Sequence, residues 1–428
     1  MPILAAIAAM CFSLEARAAL WNPAGAPPAD RVCVTHWGGC YNRSTAPYLI
    51  DGAQQAWDFG TRALKINLVA GRDAYRWNSP QWPTRFGAAV EAARHPYVRA
   101  VLDPAGRFQW TTVTMVAYAL HGNGSNNNYW RDSFTPEDAA REEEQFRDLT
   151  VHLLETYPDM QFVLQHWEGD WSIRPSSDPS LRPTALTIRN MIAWLGARQR
   201  GVEEGRKIAA ATRGRTATLG GVFHASEVNL VRSSMQTGFP NVVNEVLPHV
   251  ALDMVSYSSY DTQGKGGQYG YRAALEFIAQ HANRTQDSPA EYVYIGEYGT
   301  KQRITLPAVT EAVNRVAASV VLGNASARPL DFVARACFWE MYGNDLVGGL
   351  RGEEQPVDKS GGLPGWLLQR AQARRAEIEG GLHAGGKAGR CLTQPVYNES
   401  QLGGLWLVRP DGSHAWPYDY LRGRILGG

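Results

Sequence analysis

Two glutamates stand where a chain can do acid–base and nucleophilic chemistry. Glu297 lies in EYVYIGEYGT (residues 291–300), where the apolar, aromatic run Tyr292–Ile295 passes through Gly296 into a carboxylate flanked by Tyr298 and Gly299. Glu168 lies in QFVLQHWEGDW (residues 161–171), between Trp167 and Gly169, with Asp170 and Trp171 following. Both stretches read as a strand running straight into an acidic residue wrapped in aromatics. A pair of carboxyl groups can hydrolyse an acetal: one protonates the leaving oxygen, and the other attacks the acetal carbon or positions water. Apolar, aromatic walls would raise the acid's pKa and keep it protonated near neutrality. A lone glutamate at a strand end is more often a salt-bridge partner, so the pattern has weight only if the fold brings the two together.

The elements that would position them alternate along the chain. Short runs rich in Val, Ile and aromatics predict strands at Arg31–Thr35, Ala63–Val69, Thr111–Ala119, Gln161–Trp167, Gly220–Ala225, Ala251–Tyr257, Glu291–Ile295 and Phe332–Trp339. Between them, Pro136–Glu155 is the clearest helix: Thr135 can cap it, Pro136 suits its first position, and Phe146, Leu149, Leu153 and Leu154 share a face. Pro307–Leu322, stopped by Gly323, is another; Asp51–Phe59, Phe86–Arg94, Ala185–Gln199, Tyr271–Ala282 and Gly365–Glu379 are weaker versions. Strand–helix alternation repeated eight times predicts an α/β protein, a (β/α)8 TIM barrel. A doubly wound open sheet is the competitor, but no GxGxxG turn follows the first strand. In a barrel the reactive groups sit at the C-terminal ends of strands, and Glu168 and Glu297 would terminate the fourth and seventh. The Gly-rich stretch EGGLHAGGKAG (379–389) then leads to a tail that reads as a hairpin around Pro410-Asp411-Gly412. The expected organisation is a leader at 1–18, a barrel over 19–378, and a linker with a small C-terminal β appendage over 379–428.

Loops after the other strands offer further side chains. They are His36 and Trp37 after the first, Arg72 after the second, Trp130 after the third, Trp171 after the fourth, and His224 (with Glu227) after the fifth. For His224 a satisfied structural histidine is the commoner case. No HxH, HExxH or CxxC spacing occurs, so neither a metal nor any other cofactor is expected. There is no GxSxG elbow and no P-loop.

Catalytic glutamates after strands four and seven of such a barrel are the hallmark of the clan A retaining glycoside hydrolases, and this chain resembles a divergent member. IGEYG resembles that clan's nucleophile motif, and HWEGDW its acid/base segment, with Trp167 where the clan has an Asn that contacts the sugar 2-hydroxyl. The resemblance extends to VSYSSYD, with Tyr257 and Tyr260 where the clan often has a Tyr that hydrogen-bonds the nucleophile. It extends also to CFWEMYGN, with Trp339 where a Trp often lies under the sugar. It covers roughly residues 30–375, and no numbered family is assigned. It implies a retaining enzyme that cleaves β-type glycosidic bonds in oligo- or polysaccharides, with Glu297 as nucleophile and Glu168 as general acid and base. The alternatives are a non-catalytic carbohydrate-binding barrel and a non-sugar hydrolase or lyase on the same fold.

Composition fits this frame. The chain has 428 residues, 44% hydrophobic and 19% charged, with a formal net charge of +1. That is globular, and it lacks the basic excess of a general nucleic-acid binder. Fourteen Trp and eighteen Tyr exceed what a core commonly needs and suit stacking on sugar rings. The apolar start MPILAAIAAMCFSLEARAAL ends in Ala16-Arg17-Ala18, a small-x-small pattern that predicts a cleaved secretory leader, with an ordinary apolar helix as the alternative. The expected protein is then secreted or periplasmic, monomeric, and free of membrane contact after cleavage. Cys33, Cys40, Cys337 and Cys391 remain in the mature chain. Cys33 and Cys337 become neighbours if strand eight closes beside strand one; Cys33–Cys40 is the sequence-local alternative.

Overall fold

The computed structural model describes residues 26–343 and 402–427, apart from 40, 70–74, 76–77, 79–80, 84, 104, 120–127, 177, 213–220 and 304. The leader, Arg72, Cys40, Cys391, the 365–379 helix and the Gly-rich stretch therefore lie outside the described residues. Eight parallel strands close a barrel in sequence order: β1 (Val32–Thr35), β2 (Ala63–Asn67), β3 (Thr112–Val116), β4 (Gln161–Gln165), β5 (Val222–Val228), β6 (Met254–Ser258), β7 (Val293–Tyr298) and β8 (Val333–Phe338). β1 pairs with both β2 and β8, which leaves no edge in the ring. The (β/α)8 barrel expected from the alternation is the observed fold.

Strand periodicity sorts each strand into two faces. On β2, Leu64 and Ile66 join the core under the helices, while Ala63, Lys65 and Asn67 face the barrel axis. On β5, Val222 and Val228 pack outward. Phe223 and Ala225 join Val163, Met254, Tyr294 and Ala334 in a small inner cluster. At the β1–β8 seam Cys33 is the register partner of Cys337, and the two form a disulfide. Of the two pairings the sequence left open, the long-range one is present.

The helices follow from local chemistry. Pro136–Thr156 begins with a capping box, in which Asp138 N–H donates to Thr135 Oγ1 and Thr135 N–H to Asp138 Oδ2. The long helix Ala185–Thr212 runs well past its expected end at Gln199. Gly201 and Gly205 let it press against Pro136–Thr156: a Cβ at Gly201 would meet Glu143 O at 2.4 Å. Among the described residues no helix is long and apolar enough to cross a membrane.

Two element boundaries differ from expectation in ways that matter for the site. β7 continues through Glu297 to Tyr298, so that carboxylate is on the strand and not beyond it. β5 starts later and ends at Val228, which brings Glu227 into the barrel. The tail also differs. Val408 and His414 form an antiparallel bridge around the expected turn, but Trp416–Leu426 is a helix, not a returning strand. Pro417 suits its first turn, and Tyr418 packs its ring 4.9 Å from Phe59. Before that turn, Leu407 N–H donates to Glu340 O and Val408 N–H to Met341 O, fastening the tail beside the end of β8.

Candidate active site

The barrel axis carries a buried ionic cluster. Lys65, from the inner face of β2, places its Nζ 3.2 Å from Glu297 Oε1, 3.0 Å from Gly296 O and 3.6 Å from Glu227 Oε2. Ser258 Oγ donates to Glu297 Oε2 at 3.3 Å, and the Trp167 indole N–H to Glu297 Oε1 at 2.8 Å. Glu227 accepts from Glu168 N–H (2.7 Å), Gln165 Nε2 (2.8 Å) and Ser256 Oγ (3.1 Å). Tyr294 Oη donates to Gln165 Oε1, which fixes the amide so that its NH2 points at Glu227. Two carboxylates thus share one ammonium. Glu297 is only 2% exposed. Its carboxyl is pushed up to about 7: burial raises it, Lys65 pulls it down, and the neighbouring Glu227 charge raises it again.

Glu168 caps the short helix Gly169–Ser172 with φ 55° and ψ 62°, the one non-glycine residue with positive φ among those described. Its backbone is pinned on both sides. Its N–H donates to Glu227, and its carbonyl accepts from Ser172 N–H at 2.9 Å. Asp170, a neighbouring carboxylate, is fully buried and accepts from Asn229, Leu230 and Val242 N–H groups, so it ties this loop to the segment after β5. His166 faces away from the axis. Its Nε2 accepts the Glu227 N–H at 3.0 Å, and burial, aided by Arg198, pushes its pKa down to about 3. Both motif glycines are places of close approach. A Cβ at Gly169 would meet Glu227 O at 2.2 Å, and one at Gly296 would meet Ser256 Oγ at 1.9 Å.

Of the side chains singled out from the sequence, Glu297, Trp37 and Trp339 gather around Trp167, and Glu168 is fixed beside them through its backbone. Trp37 meets Trp167 and Trp339 edge-on, with centroids 4.6 and 5.5 Å away, and Trp167 and Trp339 lie parallel at 6.3 Å. Trp171 is half-buried on the helix next to Glu168. Four others are corrected. His36 is fully buried under Tyr48, bonds Tyr48 O, and is pushed down to about 4 by burial. Trp130 is fully buried and stacks on Trp194. His224 faces outward from β5 against Phe146. Tyr257 also faces outward and bonds Asp261 and Thr262. In each case period-two alternation or loop packing turned the side chain from the axis. The β6 group that reaches Glu297 is Ser258, the residue after Tyr257; Tyr260 lies half-buried beyond the strand. Arg72 is outside the described residues.

Sequence reasoning missed Lys65 as a site residue and gave Glu227 no role. Both had a signal. A lysine in the middle of the apolar run ALKIN, with no turn beside it, has nowhere to go but inward. Glu227 shares period-two spacing with Phe223 and Ala225. Among the described residues no group of three or more His, Cys, Asp or Glu side chains is arranged to hold a metal ion. A cavity of about 400 Å³ lies elsewhere, between Arg206, Lys207, Arg284 and Asp287. Arg206 there is already paired with Asp253 and Asp287, and none of the site residues lines it.

No protein-family model and no curated protein matches the chain. Solved structures do. A β-glucuronidase from Bacteroides uniformis aligns at 9% identity and a TM-score of 0.41, over 87% of this chain and 32% of that one. The chain thus spans about a third of that enzyme's length. A β-1,4-D-mannanase from Cryptopygus antarcticus aligns at 10% identity and a TM-score of 0.38, over 86% of this chain and 94% of that one. A family 5 xyloglucanase from Paenibacillus pabuli aligns at 10% and 0.39, over 81% and 99%.

Proposed function

We propose that the chain is a retaining glycoside hydrolase acting on β-type glycosidic bonds, secreted and working as a monomer on oligo- or polysaccharides. The observation that carries this is the convergence of the ends of β4, β5 and β7 on one polar point. Glu297 on β7 is bonded by the indole of Trp167, and the next residue along, Glu168, is held by the backbone at that same point. Glu297 attacks the anomeric carbon as the bond to the leaving oxygen breaks, and Glu168 gives that oxygen its proton. Water then bonds to the anomeric carbon, its proton passes to Glu168, and Glu297 leaves as a carboxylate. Lys65, Ser258 and the Trp167 indole hold the attacking oxygens, so the nucleophile is oriented before substrate arrives. Trp37, Trp171 and Trp339 supply apolar faces for sugar rings.

The test is hydrolysis of an aryl β-glycoside panel by the wild type, Glu297→Ala and Glu168→Ala, with the product anomer read by NMR. Activity with retained configuration is expected, lost on removing Glu297. After removal of Glu168 it should persist mainly for glycosides whose leaving group needs no protonation. A crystal structure should place the two carboxyl groups about 5–5.5 Å apart; about 6.5–9.5 Å would argue for inversion. A carbohydrate-binding barrel is the second reading, favoured by the burial of Glu297 beneath Trp167. Sugar binding without turnover by the wild type would select it.

A further inference from the structure

Glu227 is the third carboxylate of the site, and the hydrolysis above gives it no part. It is completely buried, yet it holds Lys65 on one side and the backbone of Glu168 on the other. Its other acceptor sites are filled by Gln165 and Ser256. Gly296 has no side chain where a Cβ would displace that serine. So much local sequence is spent on one buried anion that its charge needs a use.

The use follows from charge. With both glutamates ionised, Lys65, Glu227 and Glu297 carry one net negative charge. When Glu297 becomes an ester to the anomeric carbon it loses its charge, and Lys65 would be left as an uncompensated ammonium in the barrel. Breaking a buried pair in that way is strongly unfavourable, because it leaves a desolvated charge without a counter-ion. With Glu227 still ionised beside it, Lys65 stays neutralised through the glycosyl-enzyme. We propose that Glu227 is a positioning residue that remains anionic throughout the cycle, neutralising Lys65 while Glu297 is esterified and holding the backbone of Glu168 in place. This rests on the glycosidase reading for the reaction it serves, but not for the charge coupling itself.

The charged groups around the cluster are few. Lys65 comes from β2, Glu227 from β5, Glu297 from β7 and Glu168 from the loop after β4. Facing side chains from β1, β3 and β6 are uncharged: Thr35, Thr114, Ser256 and Ser258. His166, the residue after β4, faces outward and is held neutral by burial. On β8 the buried Arg335 is felt by Tyr294, the phenol that also feels Glu227, and Glu340, after the strand, is felt by Tyr48 and Tyr75. Removing the Glu227 charge therefore removes the main like-charge neighbour of Glu297, whereas removing Lys65 removes its counter-ion.

The experiment compares Glu227→Gln, Glu227→Asp and Lys65→Met with the full wild-type chain. The readouts are the acid limb of kcat/KM against pH and a 13C NMR titration of the Glu297 carboxyl, which needs no turnover. In Glu227→Gln the limb and the NMR midpoint should both move to lower pH by about one unit or more; in Lys65→Met they should move to higher pH. Glu227→Asp keeps the charge and should keep the wild-type limb. Shifts of opposite sign cannot come from general loosening of the site. Unmoved midpoints, or shifts of the same sign in Glu227→Gln and Lys65→Met, overturn the proposal. Should Glu227→Gln not fold, an upward shift in Lys65→Met with an unmoved Glu227→Asp supports it, and its absence overturns it. Opposite NMR shifts in Glu227→Gln and Lys65→Met, together with a wild type that hydrolyses no glycoside, would defeat the glycosidase reading while leaving the charge coupling in place.

Discussion

Burial of Glu297 sets the stability of the fold against the ionised form that must attack. Its carboxyl titrates near 7, above the ordinary 4.5, chiefly because it is buried. Folding therefore favours the protonated form. That contribution is full below about 4.5, fades as pH rises, and is gone once pH passes the folded value of about 7. Gln mimics the protonated acid at every pH. Glu297→Gln should therefore be more stable than wild type at pH 8, on the order of 1–3 kcal/mol, with the gap closing toward pH 5. Thermal unfolding at the two pH values measures this, and a pH-independent gap would count against it. Glu168 stores strain of a different kind. A left-handed non-glycine residue costs about 1–2 kcal/mol, and Gly at that site would be free of it. Glu168→Gly should keep or raise the melting temperature while abolishing hydrolysis of glycosides with poor leaving groups. Glu168→Ala loses the same activity without the stability gain.

At the scale of elements, the strands deliver the site by register. Gly296 sits between Ile295 and Glu297 on β7 so that Ser256 of β6 can reach Glu227. Gly296→Ala puts a Cβ 1.9 Å from Ser256 Oγ and should cost about 1–3 kcal/mol. Ser256→Ala on top of it should recover part of that loss. A double-mutant cycle by chemical denaturation reads the coupling, and strict additivity would show that the clash is absorbed elsewhere. The same register explains what the sequence could and could not tell. The eight strands and the two aromatic-wrapped glutamates were legible because apolar runs and turn residues mark strands from neighbouring residues alone. Facing was not. A shift of one or two residues in a strand boundary decides whether His224 or Glu227 enters the barrel, and loop packing after β1 sent His36 under Tyr48 while Trp37 stayed at the mouth. The tail was misread because a Pro-Asp-Gly turn predicts a returning strand equally well whether strand or helix follows; helix packing against Phe59 is a long-range fact.

On the whole molecule the barrel has, among the described residues, one covalent closure, and it lies at the β1–β8 seam. Successive strands are joined through helices, whereas β8 meets β1 through backbone hydrogen bonds and the Cys33–Cys337 bridge, separated by 304 residues in sequence. A bridge closing so long a loop restricts the unfolded chain strongly, and its loss should cost about 2–5 kcal/mol. The site feels the same seam. Trp37 lies just past the end of β1, Trp339 just past the end of β8, and their rings touch edge-on across it. Loosening the seam should therefore disturb the tryptophans over Glu297 before the rest of the barrel opens. On reduction with a strong thiol, the melting temperature should fall, and the tryptophan emission should shift to the red at temperatures where the far-ultraviolet circular dichroism is still native. The double variant Cys33→Ser/Cys337→Ser should show the same behaviour with no response to thiol. Unchanged melting on reduction would mean that hydrogen bonding between β1 and β8 closes the barrel by itself. Simultaneous loss of both signals would mean that seam and barrel unfold as one unit.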